Sequence, residues 1–159
     1  MHLRDYDPAD AAATLAVFDR AVRLTASHDY TPEQVAAWAP HDDGERDLEA
    51  WAARRAGART RVACSGERVV GFTDVDTDGY VDMMFVDPDV ARQGVASALL
   101  AWVVQTATRD GATELTTHAS RTARPFFERH GFVLVREQRP VLRGVELVNF
   151  AMRRPLGAA

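Results

Sequence analysis

The stretch Met84–Ala107, M-F-V-D-P-D-V-A-R-Q-G-V-A-S-A-L-L-A-W-V-V-Q-T-A, constrains what this chain can fold into more than any other part of it. A short apolar run stops at Asp87-Pro88, and a polar turn then carries Arg92, Gln93 and Gly94. Val95, Leu99, Trp102, Val103 and Ala107 follow near helical spacing. The unit therefore reads as strand, tight loop, helix. Small residues at Gly94, Ala96 and Ser97 leave the first helical turn open. Its unpaired N–H groups and positive dipole end suit a phosphate. Gly94 also frees the backbone to take dihedrals that other residues avoid, and lets a ligand come close.

The length of 159 residues fits one α/β domain spanning 1–159, with 47% hydrophobic and 26% charged residues. A net charge of -4 gives no electrostatic footprint for nucleic acid. No apolar run is long enough to cross a bilayer, and M-H-L-R-D-Y-D lacks the apolar core of a signal peptide. Cys64 is the one cysteine, so intrachain disulfides are impossible and a cytoplasmic location is favoured. It sits in an apolar strand pattern and reads as a packed thiol. No Cys/His cluster at ligand spacing indicates a metal. A monomer and a homodimer are equally compatible with the sequence.

Along the chain, His2–Tyr6 reads as a first strand, and Asp7-Pro8 as the start of a helix ending near Ser27-His28. Thr31, Pro32 and Gln34 make a capping box for a second helix carrying Val35 and Trp38. An acidic run, Asp42–Glu49, precedes a third helical piece with Leu48, Trp51 and Ala52. Strands are expected at Arg61–Ala63, Val69–Val75 and, after the Asp78-Gly79 hairpin signal, Tyr80–Val86. Glu114–Ala119 should lie parallel to Tyr80–Val86 through a right-handed crossover. Ser120 starts another helix ended by Gly131, and Phe132–Arg136 with Val145–Met152 forms a final hairpin.

Two stretches carry a family resemblance. The loop Ala91, Arg92, Gln93, Gly94, Val95, Ala96 resembles the coenzyme A pyrophosphate loop Q/R-x-x-G-x-G/A of GNAT acyl-CoA-dependent N-acyltransferases, with Ala91 departing at the first position. Ala119–Phe132, A-S-R-T-A-R-P-F-F-E-R-H-G-F, is similar to the later motif S-x-N-A-x-P-F-Y-x-x-x-G-F of the same family. The match includes Ser120, Ala123, Pro125, Phe126, Gly131 and Phe132, and D-Y-T-P-E-Q-V-A-A-W resembles the acceptor-side helices of small bacterial members. The resemblance implies an α/β (α+β) mixed sheet, an antiparallel meander followed by a splayed parallel strand pair with helices on both faces. It further implies acetyl-CoA as donor and a small-molecule or peptide amine as acceptor. Thr122 stands in the motif's Asn position, and Phe127 stands where many relatives carry the tyrosine that protonates the leaving thiolate. A phenyl ring has no proton to give, so a catalytically silent acyl-CoA-binding sensor remains the alternative.

Acyl transfer from a thioester to an amine needs donors for the oxyanion and routes for two protons. By resemblance, the backbone at Met84, Phe85 and Val86 supplies the donors, while Arg92, Gln93, Gly94, Val95, Ala96, Ser97, Ser120 and Phe127 meet the coenzyme. Asp82 is the first candidate base, set against a plain solvent-facing residue; Asp74 and His118 could act through water. Asp82 within an apolar strand would cost free energy without a partner. Tyr80 is the candidate replacement acid, set against a packing role. Tyr30 and Trp38 could line the acceptor pocket, although Trp38 at helical spacing from Val35 suits the core equally well.

Overall fold

The computed structural model describes residues 1–40 and 47–157. One sheet places β1 (His2–Asp5), β2 (Thr60–Ser65), β3 (Arg68–Asp74) and β5 (Met84–Val86) side by side, all antiparallel. The second runs β4 (Tyr80–Val81), β6 (Glu114–Ser120), β10 (Asn149–Pro155), β7 (Val133–Gln138). There β4 is parallel to β6, and the other pairs are antiparallel. A small hairpin, β8 (Val141–Leu142) with β9 (Val145–Glu146), turns through Arg143 and Gly144, both at positive φ. The mixed sheet and its parallel crossover are as expected from the sequence.

The helix starts follow their capping chemistry. Asp7 and Asp10 form a reciprocal capping box around a 3-10 turn that leads into α1 (Ala11–Arg20), and a π-type turn, Ala21–Thr25, continues it. Thr31 and Gln34 close the expected box on α2 (Pro32–Trp38), with Pro32 in the first turn. Asp47 caps α3 (Leu48–Gly57) by accepting from Ala50 N–H. The rest of the acidic run before Asp47 lies outside the described residues. Two helices complete the chain, α4 (Val95–Arg109) and α5 (Arg124–Arg129).

Strand alternation divides the core. Val62, Cys64 and Phe72 pack with Val17 and Phe18 of α1, Val22 of the π-type turn and Trp51 of α3. Ala63 and Val70 instead meet Val95 and Leu99 of α4. Covered on both faces, β3 is buried from Val69 to Asp74, which is why it reads as a nearly unbroken apolar run. α4 reaches under both sheets, for Leu100, Val103 and Ala107 pack with Val81, Leu115 and Met152. Gly71 permits the close approach of α4. A methyl there would stand 3.1 Å from Val95 Cγ1 and 3.2 Å from the Phe85 carbonyl oxygen.

Two expectations are corrected. Tyr80–Val86 is not one continuous strand, because Asp74 Oδ1 takes the N–H groups of Asp82 and Met83 at 2.9 and 3.2 Å. Those amides are thereby withdrawn from ladder pairing. The last strand begins at Asn149 rather than Val145, because residues 139–148 leave the sheet to form β8 and β9. Pro140, which has no N–H for a ladder, receives the Leu147 N–H on its carbonyl instead.

Candidate active site

At Asp82–Met83 one strand changes partners. Tyr80 and Val81 pair with Thr116 and Thr117 of β6, whereas Met84–Val86 pairs with β3. Met83 O accepts from Asp74 N–H and Asp87 N–H donates to Val70 O, so alternate residues 83, 85 and 87 turn toward β3. Met84 and Val86 therefore present their N–H and C=O groups to the other side. There β6 has diverged, since its pairing with β4 stops at Val81 and Thr117. The result is a V of two strands with backbone donors exposed inside it.

A cavity of about 1230 Å³ runs through this V. Its wall includes Met84, Phe85 and Val86 and continues to Arg92, Gly94, Val95, Ala96 and Ser97 at the start of α4. Gly94 caps α4 at φ 85 and ψ 7 and contributes no side-chain cap to the first-turn N–H groups. Arg92 also holds positive φ, at 63. Gln93 is exposed and does not line the cavity. Asp87, 4% exposed in its side chain, anchors the strand end that feeds the loop. It accepts from Asp89 N–H at 2.9 Å and from Arg20 and Arg68 at 3.2 and 3.0 Å. Burial pushes its carboxyl up, but the Asp89 N–H and the two guanidiniums outweigh burial and hold it below the ordinary carboxylate value.

Near the middle of the V stand Tyr80, Asp82 and His118. The Tyr80 hydroxyl donates to Asp82 Oδ1 at 3.5 Å, and its ring meets the exposed His118 ring at 5.6 Å. Burial, and then the carboxylates of Asp82 and Asp74, push the Tyr80 phenol up to about 12. The Asp82 side chain is 55% exposed, so it is no buried charge and needs no buried partner. Asp74 does not line the cavity. It lies behind the strand, with burial pushing its carboxyl up while the Asp82 N–H, Arg55 and the Met83 N–H pull it down.

Tyr30 and Trp38 both reach the cavity wall, their rings 5.3 Å apart. The Tyr30 hydroxyl is already engaged, donating to Val148 O at 2.5 Å and accepting from Arg121 N–H at 2.9 Å. Trp38 also meets Phe18 and Phe85 edge-on at 6.5 and 6.3 Å, so it serves core and wall together. Ser120 Oγ accepts from Ala123 N–H, making the turn into α5, and it too borders the cavity. Phe127 is 3% exposed and packs on Phe132 at 4.9 Å, with part of its surface at the cavity. Thr122, in the motif's Asn position, donates to Asp29 at 2.8 Å.

Three features were not anticipated from the sequence. The Arg55–Asp74 ion pair is buried, and nothing in the local pattern around Arg55 marks it as other than a surface residue on α3. Ser97 Oγ lies 3.3 Å from His130 Nε2, while His130 Nδ1 lies 2.9 Å from Phe126 O. A carbonyl can only accept, so Nδ1–H donates to Phe126 O. Leu142, Arg143 and Leu147 of the β8–β9 excursion complete the far wall of the cavity. Among the described residues, no group of His, Cys, Asp or Glu side chains could hold a metal ion, and no helix is long and apolar enough to cross a membrane.

The Acetyltransferase (GNAT) domain model matches residues 26–154. Over 153 residues the chain is 42% identical to the uncharacterized N-acetyltransferase YafP of Escherichia coli, covering 96% of this chain and 95% of YafP. The crystal structure of a GCN5-related N-acetyltransferase from Rhodopseudomonas palustris superposes with a TM-score of 0.92 at 34% identity, covering 98% of this chain and 95% of that one. The PaiA N-acetyltransferase of Thermoplasma acidophilum, solved with coenzyme A, shares the fold at a TM-score of 0.72 and 15% identity, covering 97% and 98%.

Proposed function

The chain belongs to the GNAT acetyltransferase family, and we propose that it moves an acetyl group from acetyl-CoA directly to a primary amine of a small molecule or peptide. The observation that carries this reading is the divided strand, whose Met84 and Val86 backbone groups face a cavity continuous with the open first turn of α4. The first-turn N–H groups at Val95–Ser97, left without a side-chain cap by Gly94, suit the donor's pyrophosphate, and Arg92 adds a cation beside them. The Met84 and Val86 amides, turned away from β3 toward the cavity, suit the oxyanion that develops on the acyl group. Acetyl-CoA supplies an activated acyl group; the protein's part is to orient it and handle protons.

An alkyl ammonium near pKa ~10.4 must shed a proton before it attacks. Asp82, at the cavity and open to solvent, accepts that proton directly or through water. Tyr80 has a narrower role than full proton donor. A phenol pushed up to about 12 stays protonated at neutral pH, yet it is a weaker acid than a thiol near ~8.5. Tyr80 therefore eases sulfur's departure by hydrogen bonding, and the thiolate leaves largely unprotonated. Tyr30 and Trp38 form the acceptor-side wall. The single cysteine suits a reducing compartment such as the cytoplasm, and the chain acts as one catalytic unit.

Phe127 favours a second reading, an acyl-CoA-binding module without turnover, because the family's usual proton donor is missing there. A panel of small amines, peptides and aminosugars, scored by free thiol released from acetyl-CoA, separates the two. An enzyme releases thiol with some acceptor well above the hydrolysis background. Saturable coenzyme binding with no acceptor anywhere in the panel identifies the sensor.

A further inference from the structure

A strand interrupted in its middle leaves backbone groups in need of partners, so the break at Asp82–Met83 must be held by something. Asp74 holds it, with Oδ1 on the two amides and Oδ2 accepting from Arg55 Nη1 at 2.8 Å. The Arg55 and Asp74 side chains are 2% and 3% exposed. Arg55 Nη2 lies 3.9 Å from Asp82 Oδ2, so the same guanidinium reaches the carboxylate at the cavity. Its flat face rests 5.1 Å from the Trp51 ring and 6.0 Å from Phe72. Phe72 in turn packs on Phe85 of the divided strand.

A buried ion pair is weak evidence for stability, since well-packed apolar replacements are often neutral or better. This pair's contacts converge on the residues where the strand divides. We propose that Arg55 and Asp74 are positioning residues for acetyl transfer, setting where the strand divides and holding the Asp82 carboxylate at the cavity. The inference rests on the acetyltransferase reading above. Neither side chain touches the cavity as a lining group, and both act through the Asp82–Met84 backbone and the Asp82 carboxylate.

Arg55→Met, Arg55→Lys, Asp74→Asn and the double variant Arg55→Met/Asp74→Asn test it. Acetyl-CoA affinity is measured by calorimetry, turnover with the best amine, and Tm by melting. Arg55→Met is expected to keep the donor dissociation constant within about threefold while kcat falls about 10²-fold, the scale of a misplaced reacting group. Arg55→Lys recovers part of that loss. The double variant removes the uncompensated charge, so its Tm recovers while its kcat stays low. A folded Arg55→Met with kcat within twofold of wild type overturns the proposal, as does a double variant whose kcat recovers along with its Tm. Amide hydrogen exchange separates this from the parent reading. Asp82 and Met83 should exchange at least tenfold faster in Arg55→Met, and unchanged exchange sinks the inference whatever the wild type catalyses. Absence of wild-type turnover with every amine instead sinks acetyl transfer itself.

Discussion

Replacing Gly94 by alanine isolates the backbone's part in donor binding. At φ 85 and ψ 7, an added methyl meets nothing within 4 Å. Its cost is therefore conformational, about 1–2 kcal/mol for an L-residue in the left-handed region. The stiffer unfolded chain returns about 0.4–1 kcal/mol of that. The net loss of roughly 1 kcal/mol lowers Tm by about 2–4 °C in a chain of this size. Coenzyme A at a hundredfold its dissociation constant should add about 2.7 kcal/mol to the wild type, which is about 5–10 °C on the same scale. The loop is expected to relieve the alanine by relaxing away from positive φ, so the Val95–Ser97 amides swing off the ligand and that gain vanishes. Melting both proteins with and without coenzyme A measures each quantity. A Gly94→Ala protein that keeps the full ligand-induced shift refutes the assignment of this loop to the donor.

Proton handling gives the next expectations. Tyr80→Phe removes a hydrogen-bond donor to the departing sulfur, and Asp82→Asn removes the base. Each should lower kcat at saturating acetyl-CoA by roughly 10²-fold, with the Asp82 loss largest at low pH, where the acceptor most needs a base. Near-normal turnover in both would shift the chemistry to water. Phe127→Tyr, whose hydroxyl should emerge into the cavity, is expected to raise kcat with a Tm change under about 3 °C; a larger drop without a rate gain would mean the hydroxyl is buried unpaired. Acid stability should depend on Asp87. Its carboxyl is held below the ordinary value, so its contribution is complete above about pH 4 and disappears as pH falls through the lowered folded value. Asp87→Asn should flatten the fall in Tm between about pH 4 and pH 2. Parallel curves for the two proteins would remove Asp87 from the acid transition.

The strand–loop–helix unit at Met84–Ala107 was legible because each of its signals is local. The Asp87-Pro88 stop, Gly94 and the helical spacing after it all lie within a few residues. The Asp7-Pro8 helix start and the capping box at Thr31 were legible for the same reason, as residues within one turn decide them. What escaped depends on residues far apart in the chain. Arg55 sits in a run, R-R-A-G, that looks like an exposed helix end, and only its pairing with an aspartate 19 residues later buries it. The same aspartate breaks the strand by taking the N–H groups of Asp82 and Met83, and no local signal announces that break. In residues 139–148, Pro140 and Arg143-Gly144 were turn signals overshadowed by the apolar run that follows. The Ser97–His130 contact joins two elements that no spacing rule connects.

The divided strand also bears on how the chain reaches this state. Residues 80–86 belong to both sheets, two pairing with β6 and three with β3. The first sheet's β2, β3 and β5 follow one another closely and need only short loops to close. Pairing on the other side must wait for α4 to be laid down, since Val81 O accepts from Thr117 Oγ1 across 36 residues. Closing that longer loop carries an entropic cost that must be met before its contacts repay it. The seam between the two sheets should therefore be the last part to zip during refolding. Pulsed amide labelling should find β2 and β3 protected before β6 and β10, and simultaneous protection would mean that the two sheets assemble as one unit.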